Sequence, residues 1–196
     1  MNTPSHLIIT AATQKFYRRT PIVRSAFLLG SVAPDLPLIV LWVSSTIHLH
    51  YNQGWTIRAA FRYLEQLYFV DPIWIAAHNT LHSPTMLVLL LLPLWHYRQR
   101  INSWGRWMYW FLLACLLHSV IDIATHGNDG PLLLFPFQWS IRFYSPVSYW
   151  DPAYYGREFA LFELVLTIGL LTYLFGASVW RRVMEYRAKP VTYDAH

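Results

Sequence analysis

Trp107–Thr125 reads WMYWFLLACLLHSVIDIAT. It holds no Lys, Arg or Glu, and its length approaches the roughly 20 residues that cross a hydrocarbon core. Yet it carries His118 and Asp122, and His126 follows directly. Positions four apart lie on nearly the same face of a helix. Three polar groups thus form one stripe on an otherwise apolar helix. A carboxylate inside a membrane segment is costly without a partner, so Asp122 between two histidines has an evident reason to be there.

The same spacing recurs upstream. His78-x3-His82 opens residues 73–95, IWIAAHNTLHSPTMLVLLLLPLW. If the two segments are antiparallel neighbours, the start of one meets the end of the other. His78, His82, His118, Asp122 and His126 then face one side of the membrane. Imidazole and carboxylate are ligands that proteins offer to Zn²⁺, Mn²⁺ and Fe²⁺. Cys115 is the single cysteine, which excludes both a disulfide and a thiolate-rich zinc site. The ligands outnumber the four of one tetrahedral ion, which predicts about two divalent transition-metal ions, zinc first among them. A helix rises about 1.5 Å per residue, so His118 and His126 lie roughly 12 Å apart along an unbroken helix. Either His126 swings back from a helix cap at Gly127, or more than one ion is held.

The 196 residues are 55% hydrophobic and 13% charged, against about 25% charged in soluble domains. They predict one all-α integral-membrane domain, residues 1–196, with about four membrane-embedded helices. The candidate spans are 24–46, 73–95, 107–125 and 158–180. The first is interrupted by Gly30, Pro34 and Pro37, which permits two half-helices. Asp35 in that break either joins the polar cluster or only caps the second half. Glu163, one turn into the fourth span, is a candidate partner for a ligand histidine. Residues 47–72 place Arg58, Arg62 and Glu65 among Ile57, Phe61, Leu64 and Tyr68, the pattern of a helix lying on the interface. Ser83 and Ser119, each next to a histidine, read as serines bonded to their own backbone.

The net charge of +5 does not point to nucleic acid, because the basic residues border the apolar segments. Lys15, Arg18, Arg19, Arg24, Arg98, Arg100, Arg106, Arg181, Arg182, Arg187 and Lys189 fall on one side. Arg58, Arg62, Arg142 and Arg157 fall on the other. Eleven against four predicts both termini in the cytoplasm. The connection 126–157 is long for a loop without a role. Its aromatic part, 131–155, is suited to cover the site, and Arg142 to pair with a phosphate.

At these residues the chain resembles the membrane-bound metal-dependent hydrolases (YdjM-like), a family similar in ligand pattern to zinc-dependent phospholipase C. The matching pieces are Thr3-Pro4-Ser5-His6, Gly30-Ser31-Val32-Ala33-Pro34-Asp35-Leu36, His78-x3-His82-Ser83, and His118-x3-Asp122 followed by Pro131-Leu132 and Phe135-Pro136-Phe137. Their order matches that of the family. Asn79, Leu81 and Pro37 depart from its usual Arg, Thr and second Asp. The resemblance implies a bacterial inner (plasma) membrane protein. It adds His6 and Asp35 to the ligands and makes Asp129 a candidate. It also implies hydrolysis of a phosphoester or other amphiphile, with membrane lipid and a small-molecule or lipid substrate as partners. The charge count sets His6 on the face opposite His78. A liganding His6 therefore requires residues 1–46 to fold as a short helix plus a half-helix dipping toward the site. The rival to a hydrolase is a non-enzymatic membrane protein with a structural metal or ionic cluster. An ion conduit is disfavoured, since its ionisable groups should run through the full membrane depth.

Overall fold

The computed structural model describes residues 1–96 and 102–187. Arg98, Arg100 and Lys189, three of the basic residues in the topology count, lie outside them. The described chain is all-helical. Its elements are α1 (Thr3–Phe16), α2 (Arg24–Gly30), α3 (Leu36–Ile47), α4 (Ile57–Val70), α5 (Pro72–Asn79), α6 (Pro84–His96), α7 (Ser103–Thr125) and α8 (Gly156–Arg187). A π-helical turn, His48–Asn52, extends α3, and a 3₁₀ turn, Pro152–Tyr154, precedes α8.

The helix starts follow from local chemistry. Asn102 accepts from the Gly105 N–H at 2.8 Å to begin α7. Asp71 accepts from Ile73 and Trp74 N–H groups at 2.9 and 3.2 Å, with Pro72 in the first turn of α5. Each cap satisfies donors that a helix N-terminus leaves free.

Two helices, α7 and α8, are long and apolar enough to cross a membrane. The pair α5 and α6 passes together as one broken span, bent by 48°. The expected four spans thus become two, or three with the bent pair. The segment 24–46 is not one of them. Pro34 lacks an N–H and disfavours helix at Ala33, and the chain turns through residues 31–35 between α2 and α3.

Helix α7 is the centre, flanked by α2 and α6. Leu87 and Leu91 of α6 pack on Leu112 and Cys115 of α7. On the α2 side the contact runs through small residues: Ala26, Gly30 and Ala114 are all buried. Small residues let backbones close up where lipid gives no hydrophobic drive between helices. A Cβ on Gly30 would collide with the Phe111 carbonyl oxygen and stand 2.9 Å from the Ala114 Cβ, so glycine is required there. Leu49, Ala60, Leu64, Tyr68 and Trp74 form a second core joining α3, α4 and α5. Much of α8 is exposed and apolar, including Leu161, Leu164, Val165, Ile168 and Phe175, as a lipid-facing helix requires.

The N-terminus lies against the end of α7. Asn2 bonds Glu163 near the start of α8, and Lys15 reaches the Tyr173 carbonyl at 2.5 Å. So α1 runs alongside α8 in the same direction. Next, α2 runs back beside α7, from Ser25 at Trp107 (3.2 Å) to Ser31 at His118 (2.8 Å). Met1 therefore sits at the end of α7 near Asp122, whereas α8 finishes at the opposite end. Residues 1–46 form two short helices that fold back on each other and most of a third, with no helix among them long enough to be a span.

Candidate metal centre

Two turns and one helix deliver the polar groups. Asp35 sits at the start of α3, His82 in the bend between α5 and α6, and His118 and Asp122 one turn apart on α7. Their ligand atoms all lie within 4.8 Å of one another. His82 Nε2 is 3.2 Å from His118 Nε2, 3.3 Å from Asp35 Oδ1 and 3.6 Å from Asp122 Oδ2. His118 Nε2 is 3.4 Å from Asp35 Oδ1 and 2.9 Å from Asp122 Oδ2. Zinc bonds N and O donors at about 2.0–2.1 Å, so the edge of its ligand tetrahedron is about 3.3–3.4 Å. The observed separations scatter around that edge.

The histidine tautomers are fixed by their other nitrogens. His82 Nδ1 lies 2.8 Å from the His78 carbonyl, and His118 Nδ1 lies 2.8 Å from the Ser31 carbonyl. A carbonyl only accepts, so each Nδ1 holds the proton and donates. In the neutral rings both Nε2 lone pairs then point into the same small space. Two lone pairs 3.2 Å apart repel unless a proton or a cation lies between them. Carbonyl-anchored imidazoles of this kind are how proteins orient metal-binding histidines. Donor type, spacing and tautomer all fit a divalent transition metal.

Asp35 is at the cap position of α3 but makes no capping hydrogen bond. Its Oδ2 accepts from Thr3 Oγ1 at 2.5 Å, and Oδ1 faces the two histidines. Of its two expected roles, the structure shows the cluster one. Burial alone would raise its pKa; the facing His118 and His82 rings, which donate from Nε2 when protonated, hold the carboxyl below the usual range instead. Asp122 divides its carboxylate. Oδ2 turns to the cluster, while Oδ1 lies 2.9 Å from His6 Nε2 and 3.0 Å from the Met1 amino group. The His6 ring stacks on His118 at 3.7 Å between centroids, and burial lowers its pKa.

Four sequence candidates, His6 among them, stand beside the four-residue group rather than in it. His78 stacks on His82 at 4.3 Å and its Nε2 lies 3.0 Å from the Tyr68 hydroxyl. The reason is the bend: α5 stops at Asn79 and α6 starts at Pro84, so His78 and His82 do not share one helical face. His126 lies just past α7, its Nδ1 turned 3.0 Å from the Asp122 carbonyl oxygen. Asp129 accepts from the Trp150 indole at 2.8 Å and leaves Oδ1 buried without a partner. His6 Nδ1 and His78 Nδ1 are also buried and unpartnered.

A cavity of about 830 Å³ opens from the cluster, within the range of ligand pockets. His78, His82, Asp122, His126 and Asp129 line it, with Tyr149 and Trp150 from the aromatic loop. Leu38, Trp42, Phe61 and Phe69 give it apolar wall, and Arg58 and Arg62 of α4 also line it. Arg142 does not. Its guanidinium bonds the Gly130 carbonyl and stacks over Tyr68 and Phe69 at 5.2 and 5.5 Å. Nor does Glu163 meet a ligand histidine; it accepts from Asn2 N and Nδ2 at 2.9 and 2.6 Å. Ser119 does not bond its own helix but donates across to the His82 carbonyl, and Ser83 donates to the Phe135 carbonyl at 2.9 Å.

Apolar spanning helices around a buried His/Asp cluster define a helical membrane protein with a possible metal site. The chain belongs to the YdjM inner membrane protein family, whose model matches residues 1–183. No curated protein and no solved structure matches it.

Proposed function

We propose that the chain is a membrane-bound, metal-dependent hydrolase acting on a phosphoester or similar amphiphile. The observation that carries this reading is that Asp35, His82, His118 and Asp122 are close enough to share one ion, and that three of them, Asp35, His82 and Asp122, border a cavity large enough for a substrate. A structural site is closed by its ligands, whereas a catalytic one keeps an open side. A divalent ion held there would supply Lewis acidity and a water acidified to a pKa of about 7. The protein's own groups do the positioning. The carbonyls of His78 and Ser31 aim the two imidazoles, and Thr3 aims Asp35.

The ion we favour is zinc, and the four-residue group accounts for one. A second ion, expected from the ligand number, would draw on His6, His126 and Asp129. Only the four-residue group brings its ligand atoms within reach of a shared ion among the described residues, so the proposal is for one ion. The bond-breaking site lies near the end of α7, which suits a substrate entering from the bilayer surface. Because the ligands come from three separate segments, a purely structural ion that staples them together is the second reading.

Turnover separates the two. Zinc-loaded protein in nanodiscs is screened against phospholipids and lipid phosphates, beside His82→Ala. Product release by wild type alone supports hydrolysis. Equal background from both across the panel replaces it with the structural ion.

A further inference from the structure

The cavity is lined by residues of the metal cluster and by α4, whose Arg58 and Arg62 stand one helical turn apart. Trp42, Phe61 and Phe69 line it as well. Neither guanidinium takes part in an ion pair among the described residues. Two carboxylates of the lining have other partners. Asp129 Oδ2 takes the Trp150 indole, and Asp151 caps the following turn through Ala153 at 2.9 Å. Glu65 also lines the cavity but forms no ion pair with Arg62. Arginine pairs suit phosphate, because the guanidinium fork matches its oxygens in planar, bidentate contacts. The apolar residues beside them suit a hydrocarbon chain. Helix α4 itself is amphipathic, with Ala60, Leu64 and Tyr68 buried and Arg58 and Arg62 exposed on the cavity side.

We propose that Arg58 and Arg62 are the anion-recognition pair of the cavity, binding a phosphate-type head group of an amphiphile that also reaches the metal cluster. This rests on the hydrolase reading above and names what its substrate must carry. It also moves phosphate recognition from Arg142, which is spent on Gly130 and the Tyr68 ring, to α4.

Binding of dodecyl phosphate, inorganic phosphate and dodecyltrimethylammonium to the zinc-loaded protein in maltoside micelles is measured by calorimetry. Wild type is compared with R58Q/R62Q, R58K/R62K and R157Q, an exposed arginine away from the cavity, and zinc content is measured on every sample. Dodecyl phosphate should bind wild type and R157Q alike and R58Q/R62Q at least about tenfold more weakly, since two charge-assisted bonds are lost. R58K/R62K should fall between, and dodecyltrimethylammonium should not bind. Inorganic phosphate should bind more weakly than dodecyl phosphate; equal affinity overturns the amphiphile. Equal affinity of wild type and R58Q/R62Q for dodecyl phosphate overturns the arginine pair. If no sample holds zinc, the metal reading fails separately, and the same comparison on metal-free protein still decides for or against the arginines.

Discussion

Gly30→Ala should weaken both the fold and the metal centre. The added Cβ would meet the Phe111 carbonyl carbon at 3.0 Å and the Ala114 Cβ at 2.9 Å. The obstacle is backbone on one side and a short, stiff side chain on the other, so α2 must move off α7. Overpacking of this kind costs about 1–3 kcal/mol. At about 2–4 °C per kcal/mol for a chain of this size, the melting temperature should fall by about 2–12 °C. The shift also carries Ser31, whose carbonyl holds His118 Nδ1 at 2.8 Å. Losing such an outer contact weakens metal binding by about 10–100-fold. Gly169→Ala is the control: nothing lies within 4 Å of its added Cβ on α8, and Ala in a helix interior gains up to about 1 kcal/mol. Thermal unfolding in detergent and zinc titration against a competing chelator measure the two effects. A Gly30→Ala protein with wild-type melting and wild-type zinc affinity would refute the close α2–α7 contact and its link to His118.

Asp35→Asn should lower zinc affinity by about 100-fold or more, a ligand counting for at least as much as its outer partners, while leaving helix content unchanged, because Asp35 makes no cap bond; unchanged zinc affinity in competition titrations would count against it as a ligand. Glu163→Ala removes both acceptors of Asn2, costing about 1.5–3 kcal/mol. Hydrogen exchange over residues 3–16 should rise, and an unaltered exchange pattern would show that the clamp is not what docks α1. In a Cys115→Ala background, Ser103→Cys and Ser140→Cys, both at exposed positions, should label from opposite faces of the membrane; labelling from one face would contradict α7 as a span.

The spacing of His118 and Asp122 was legible because α7 is one unbroken helix, and an i,i+4 pair on it shares a face. His82 was legible for a less sound reason. The sequence spacing assumes His78 and His82 on one helix, but Pro84 and the Asn79 stop put His82 in a bend, where it alone turns its Nε2 to the cluster. His78 supplies a backbone carbonyl there instead of a ring nitrogen. Asp35 was marked by the expense of a carboxylate in an apolar segment, and His6 by resemblance only. The charge count assumes that every apolar stretch crosses fully. Residues 24–46 do not, since Pro34 divides them into a returning helix and a second one. Nothing in the sequence announced the partners that aim the ligands, Thr3, Ser31 and Ser119, because each acts through contacts distant in the chain. Arg58 and Arg62 were visible as the polar residues of an interfacial helix. That they turn into the cavity depends on how α3, α4 and α5 pack.

Metal content tests most directly whether Asp35, His82, His118 and Asp122 hold an ion. Protein extracted from membranes, purified without chelators or a histidine tag, is analysed for elements beside His118→Ala/Asp122→Ala. About one divalent transition-metal ion per chain is expected in wild type, as one such group forms among the described residues, and none in the double variant. Wild type that is purified metal-free and takes up no zinc, or a double variant that retains the full complement, would contradict it.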